Sequence, residues 1–194
     1  MGRVGDWAKE TLPPVLLVLF LDVAVTVAFV LLSGKSVRVG TFRPADAIPP
    51  KVAELLAIGV AVGLLECLGR GRPDASLFTF GLAFVALIAV DHFPSAFGFA
   101  QPIRPAHSLT FLVLMVSVLA LAFRKRPEVP IAAAAGFFGH MAGDTGIFAP
   151  VQPFSFQYIP LAPYTGAFAV AAVVVAIAAG YTKRRRVQRA AWRY

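Results

Sequence analysis

Six apolar runs follow one another along the chain, at approximately 13–32, 52–69, 75–91, 108–123, 129–148 and 163–181. A helix needs about 20 mostly apolar residues to cross the hydrocarbon core of a bilayer, so each run is long enough or nearly so. The third and fourth are short, which fits an untilted helix or a partly re-entrant one. Proline and glycine punctuate the gaps, as in Ser33-Gly34, Pro49-Pro50, Gly69 to Pro73 and Pro102 to Pro105, and such residues turn the chain. Pro13-Pro14 and Pro130 stand near run starts, where a helix tolerates a missing N–H. No segment repeats and no second domain separates. The pattern predicts an all-α fold: a polytopic transmembrane bundle of about six helices, forming a single integral membrane domain over residues 1–194.

Composition agrees with this reading. Of the 194 residues, 58% are hydrophobic and only 14% charged, against about one-quarter charged in soluble domains. The charges collect between the runs, because an unpaired charge inside a bilayer costs roughly 2.5 kcal/mol or more. The net charge of +8 raises nucleic acid as a partner, but no DNA- or RNA-reading motif accompanies it, and that class is set aside. Much of the excess sits in Arg124-Lys125-Arg126 and Lys183 to Arg186, each directly after an apolar run. Basic clusters so placed set topology and touch anionic head groups, which makes membrane lipids the expected partners.

Orientation follows from the same residues. Of the 18 Lys and Arg, 13 fall in the N-terminus, the 70–74 and 124–128 turns and the C-terminal tail, and 5 in the intervening loops. By the positive-inside rule both termini are cytoplasmic, in a multi-pass protein of the cell membrane. The first run is longer than a secretory h-region and no Ala-x-Ala site follows, so it reads as an uncleaved helix. Trp7, Trp192 and Tyr194 read as interfacial anchors. Cys67, the only cysteine, reads as a small packing residue.

The fifth run carries Gly136, Gly139, Gly143 and Gly146, three or four apart on one side of a helix. Small residues let neighbouring backbones approach, which predicts that this helix is central. It also carries His140 and Asp144, whose i, i+4 spacing puts them on one face, about 6 Å apart along the axis. Ionisable groups within a span are rare and usually face a cavity or a partner. The plainer alternative is a His–Asp pair that joins two helices. Asp91-His92 ends the third run and His107 opens the fourth, and each alone is ordinary for a helix end at a membrane surface.

Topology aims these residues at one place. The third run ends, the fourth begins and the fifth ends on the same, outer side. Imidazole and carboxylate form the ligand set of zinc, manganese or non-haem iron. Asp91, His92, His107, His140 and Asp144 are therefore candidate metal ligands. Asp91 and His92 diverge by about 100° on a helix, so one can bind while the other orients a ligand imidazole. A helix over 129–148 sets His140 near mid-bilayer and Asp91 at the boundary. An inward dip of 93–103, or a deeper start of the helix, would remove that mismatch in depth.

In their order, Asp91-His92, then Arg104 ahead of His107-Ser108-Leu109, then Gly136 to Thr145 with His140 and Asp144, resemble the LexA-regulated family of inner-membrane metal-dependent hydrolases. Pro153-Phe154 matches that family's downstream Pro-Phe, and the resemblance covers approximately residues 85–155. It implies a polytopic helical protein with metal-dependent hydrolase activity. More distantly it is similar to the all-helical zinc phospholipase C and P1-type nuclease group, which implies phosphoester substrates. The chain departs from the family pattern at Ile88-Ala89, at Ile103 and at Ala106, and residues 1–91 hold no histidine.

Other polar residues suit roles around such a centre. Glu54, near the outer end of the second run, reads as a ligand or general base, or as a solvated acid at a helix N-terminus. Arg104, the sole basic residue of its loop, reads as a bidentate phosphate contact or a head-group anchor. Asp22, midway in the first run, requires a partner, and Glu66 lies toward the cytoplasmic side. The aromatic, proline-stiffened 149–163 loop reads as a lid or lipid-entry surface, or as interfacial structure. The expected function is that of a membrane-bound metal-dependent hydrolase. Zinc is the first-choice divalent ion, with manganese or iron as alternatives, activating water toward a phosphoester, a lipid-like substrate or another small molecule at the outer leaflet. The alternatives are a transporter or an ion- or proton-conducting protein that uses His140 and Asp144, and a non-catalytic membrane subunit with a degenerate site.

Overall fold

The computed structural model describes the backbone over residues 2–32, 38–39, 44–92, 99–100, 105–144, 146–152, 155–160 and 164–192, and side chains over 4–28, 52–90, 105–144 and 164–192. Six α-helices dominate the described residues: α1 (Gly2–Leu32), α2 (Pro44–Arg70), α3 (Ala75–Leu87), α4 (Leu109–Ala122), α5 (Glu128–Ala142) and α6 (Thr165–Ala191). The helical class expected from the pattern is what the chain adopts. Three helices are long and apolar enough to cross a membrane: Val4–Ala28, Val52–Arg70 and Thr165–Ala191. This length and apolar character mark a membrane protein. Ala75–Val90 and Leu109–Ala122 are shorter apolar helices, in keeping with the short third and fourth runs. Large apolar side chains such as Phe20, Leu64, Leu68, Val113 and Leu121 stand exposed, as they do where lipid covers the outside.

Two short antiparallel ladders complete the described backbone. β1 (Arg38–Val39) pairs with β2 (Phe99–Ala100) and joins the two connections that precede α2 and α4. β3 (Gly146–Gln152) pairs with β4 (Ser155–Pro160), from Gly146 opposite Pro160 to Gln152 opposite Ser155, with an irregularity between Pro150 and Gln152. The segment read as an extension of the fifth helix and a loop is thus partly a hairpin. Beyond Ala142 the helix gives way to i→i+3 bonds, from Gly143 N–H to the His140 carbonyl and from Asp144 N–H to that of Met141.

Close approach at glycine sets the packing of α2, α3, α5 and α6. A Cβ on Gly81 of α3 would run into the backbone of Gly63 in α2, and one on Gly180 of α6 into the Glu66 carbonyl of α2. On α5, a Cβ at Gly136 would stand 2.5 Å from Cβ of Phe84, and one at Gly139 2.9 Å from Val62. Helix α5 is accordingly the most enclosed of the described helices, with Ala132, Ala133, Phe137 and Met141 buried among Phe80, Phe84, Phe111 and Met115, and Ala135 among Val62, Val85 and Ala176. The glycine face read from sequence therefore does place this helix at the centre.

Charges lock the end of the bundle opposite to the start of α4. Lys183 of α6, 4% exposed, donates to Asp74 at 2.9 Å and to the Ser76 hydroxyl, and pairs with Glu10 of α1 at 2.8 Å. Arg186 holds the fully buried Glu128 of α5 through two contacts of 3.1 and 2.8 Å. Asp74 also caps α3, accepting from Leu77 N–H and the Ser76 hydroxyl. Burial alone would raise the Asp74 carboxyl, but the Lys183 hydrogen bond and charge, with Ser76 and Leu77, outweigh it and hold it below the ordinary range.

The same network explains an unexpected feature of α1, which runs through Pro13 and Pro14 rather than starting there. Pro14 has no N–H for the carbonyl of Glu10, and Arg126 Nη1 donates to that oxygen instead, at 2.7 Å. A proline inside a helix loses one such bond, and here a side chain replaces it. Helix α6 likewise runs ten residues past the expected 181, because Lys, Arg, Gln and Ala all favour helix and the cations suit its C-terminal end.

Two predictions follow from this packing. Gly180→Leu overpacks the α2–α6 crossing and lowers stability by about 1–3 kcal/mol, read from thermal unfolding in detergent. Lys183→Met leaves the partly exposed carboxylates of Glu10 and Asp74 without their shared cation and lowers it by about 1–3 kcal/mol at neutral pH. Because Asp74 is depressed in the fold, its contribution is complete above about pH 4, the unfolded value, and fades as pH falls through the lower folded value. The Lys183→Met protein loses that acid-dependent step, which unfolding midpoints measured between pH 7 and pH 2 would show.

Candidate metal centre

At the other end of the bundle the chain brings three ligating side chains together. His107 ends a short 3-10 turn, Pro105–His107, just ahead of α4. Ser108 pins this turn: its hydroxyl donates to the Pro105 carbonyl at 2.7 Å and accepts the Phe111 N–H at 3.1 Å, capping α4. His140 occupies the last turn of α5, and Asp144 follows in the turn beyond its end. The helix ends earlier than the expected 129–148, so His140 lies in its last turn rather than midway along it.

The geometry is tight. His107 Nε2 stands 2.8 Å from Asp144 Oδ2 and 3.1 Å from His140 Nε2, and His140 Nε2 stands 3.8 Å from the same Asp144 oxygen. Both imidazoles are buried, as is the Asp144 side chain at 5% exposure. The rings meet edge to face, with centroids 4.9 Å apart. His140 Nδ1 lies 2.9 Å from the Val85 carbonyl of α3. A carbonyl only accepts, so Nδ1 carries a proton, and Nε2 faces His107 and Asp144. Such a backbone hydrogen bond is how proteins fix the tautomer of a metal-binding histidine.

The donor set fits a divalent ion. These three atoms all lie within 4.8 Å of one another. Two ligands each at about 2.0–2.1 Å from a tetrahedral zinc stand ~3.3–3.4 Å apart, and the observed separations fall on either side of that. Two histidines and one carboxylate also match the facial set of non-haem iron, and either arrangement leaves coordination positions for water or substrate.

Of the residues expected at the site, His107, His140 and Asp144 therefore assemble. Glu54 comes close: its Oε1 would stand 2.7 Å from a Cβ on Gly143, the residue before Asp144. Gly143 is thus the position that admits the Glu54 carboxylate and Ile58 against the end of α5. The side chains of Asp91, His92 and Arg104 lie outside the described residues. Sequence reasoning missed the Val85 carbonyl, since a backbone acceptor leaves no mark in residue type. It also missed what Gly143 admits, although a glycine beside a candidate ligand was a visible signal. Comparison with protein-family models, with curated proteins and with solved structures yielded no match.

Zinc titration of the purified protein tests the geometry. His107→Ala and His140→Ala should each weaken binding by more than about 100-fold, beyond the loss typical of residues that only orient ligands. Equal affinity in all three proteins would dissolve the centre into separate side chains.

Proposed function

We propose that this chain is a membrane-bound metal-dependent hydrolase that acts on a phosphoester or lipid-like substrate. The observation that carries the reading is the convergence of His107 Nε2, His140 Nε2 and Asp144 Oδ2 in a protein whose long helices are built for lipid. Zinc is the favoured ion, with manganese or iron as alternatives, and when bound it supplies Lewis-acid activation of water and of the substrate oxygen. The chain's own residues do the rest. The Val85 carbonyl orients His140 through Nδ1 and turns Nε2 toward His107 and Asp144. The Ser108 cap sets the backbone that aims His107. Glu54, seated against Gly143 beside Asp144, is the residue we assign as general base, accepting a proton at Oε1.

Membrane orientation supports the same reading. The excess of Lys and Arg on one set of loops favours a multi-pass chain with both termini cytoplasmic. Glu10, Asp74, Arg126, Glu128, Lys183 and Arg186, drawn from those termini and turns, share one network at the end away from the three ligands. On that orientation the site belongs to the outer leaflet. The resemblance to the LexA-regulated membrane hydrolases points to the same chemistry.

A proton- or ion-conducting role is the second reading, favoured by Asp22 and Glu66, both fully buried in long apolar helices, where acids often mark pathways. The two separate by experiment. The hydrolase should cleave chromogenic phosphodiesters or carboxylic esters, lose activity to a chelator and regain it with zinc. Glu54→Gln should lower turnover by about 100-fold or more with metal content unchanged, and Gly143→Ala should also lower turnover by displacing Glu54. Turnover indifferent to chelation, or absent altogether beside Asp144-dependent liposome flux, would reject the hydrolase.

A further inference from the structure

The basic end of the bundle carries a groove that the hydrolase reading does not use. It is about 660 Å³ in volume and runs between the α4–α5 turn and the last turns of α6. Lys125 and Pro127 form one wall, and Tyr181, Thr182, Arg185, Arg186 and Arg189 the other. Positions 182, 185, 186 and 189 are spaced three or four apart, so the helix presents them on one face. Among the described residues no acid lines the groove. Arg186 is neutralised by Glu128, but among the described residues no carboxylate pairs with Lys125, Arg185 or Arg189. Arg185 lies over the Tyr181 ring at 4.6 Å, which holds its guanidinium at the level where α6 leaves its apolar segment.

Below that level the same side of α6 is apolar and open. Val170, Val173 and Val174 are 64%, 41% and 60% exposed, and Tyr181 is 45% exposed. With spacings of three, four and seven residues, these valines and Tyr181 form a stripe that leads to Arg185. Three uncompensated cations at the top of an exposed aliphatic stripe match one kind of molecule, with a phosphate at one end and a hydrocarbon chain at the other. Basic pockets beside membrane helices hold anionic head groups in this way.

We infer that this groove binds the phosphate of an anionic glycerophospholipid, with Lys125, Arg185 and Arg189 as its ligands and the Val170–Val174 stripe against an acyl chain. The ligand class is a phosphodiester anion. The exposed valines and Tyr181 below the cations select a lipid over a free phosphate. This site is distant from the metal centre and stands whether or not the chain is a hydrolase.

The full-length protein in detergent, offered equal amounts of phosphatidylglycerol and phosphatidylcholine, tests it by native mass spectrometry. Wild type should retain phosphatidylglycerol selectively. Arg185→Gln with Arg189→Gln should reduce that retention by roughly thirtyfold, about fivefold per cation. Lys9→Gln with Arg124→Gln removes the same charge outside the groove and should leave retention near wild type. Arg185→Lys with Arg189→Lys should recover much of it, which separates lost binding from lost folding. Equal loss in both Gln pairs would overturn the site in favour of general surface charge. Displacement of the lipid by millimolar inorganic phosphate, with phosphate bound equally well alone, would overturn it in favour of a soluble anion.

Discussion

A polar group withdrawn from water between apolar helices has to be met by a complementary group, because the surroundings supply none. That constraint organises both ends of this bundle. At one end it is met within the chain. Lys183 sits among Glu10, Asp74 and Ser76, and Glu128 sits between Arg126 and Arg186, so cations and anions alternate. Four separate segments are tied by these contacts, and even the missing hydrogen bond of Pro14 is supplied from the same cluster.

Close backbone packing makes the arrangement possible. Because Gly63, Gly81, Gly136 and Gly180 admit backbone or Cβ atoms of a neighbouring helix, helices that carry few polar residues can still bring them into contact. The geometry at the far end depends on the same device. Gly136 draws α5 against Phe84, next in sequence to the Val85 whose carbonyl fixes His140. The small face of α5 is therefore a structural requirement of the candidate site as well as a packing motif.

Much of this was legible in the sequence for physical reasons. Apolar runs of bilayer length announce helices, and glycine at spacings of three and four announced the central one. His140 and Asp144 stood out because ionisable side chains are rare within a span, whereas His107, ordinary for a helix end, was brought in by topology. The helix ends were less legible. Ala142 and Gly143 belong to a helix-compatible run, yet the chain turns there and enters a ladder at Gly146, which hydropathy cannot register. The basic clusters of the turns read as topology and head-group contacts, since nothing in their spacing shows that Lys183 and Glu128 are buried by partners from distant segments.

The contrast between the two ends bears on the plainer account of the histidines, a His–Asp pair that joins two helices. Such a pair needs one donor and one acceptor. His107 and Asp144 satisfy it alone, at 2.8 Å. His140 adds a third ligating group, with Nδ1 on the Val85 carbonyl and Nε2 3.1 Å from His107 Nε2. The ion network around Lys183 shows how this chain pairs charges where support is all that is needed. The Ser108 cap and the Val85 carbonyl hold the two imidazoles from either side, and three ligating atoms meet between them. That convergence is what makes the site a candidate for holding a metal ion.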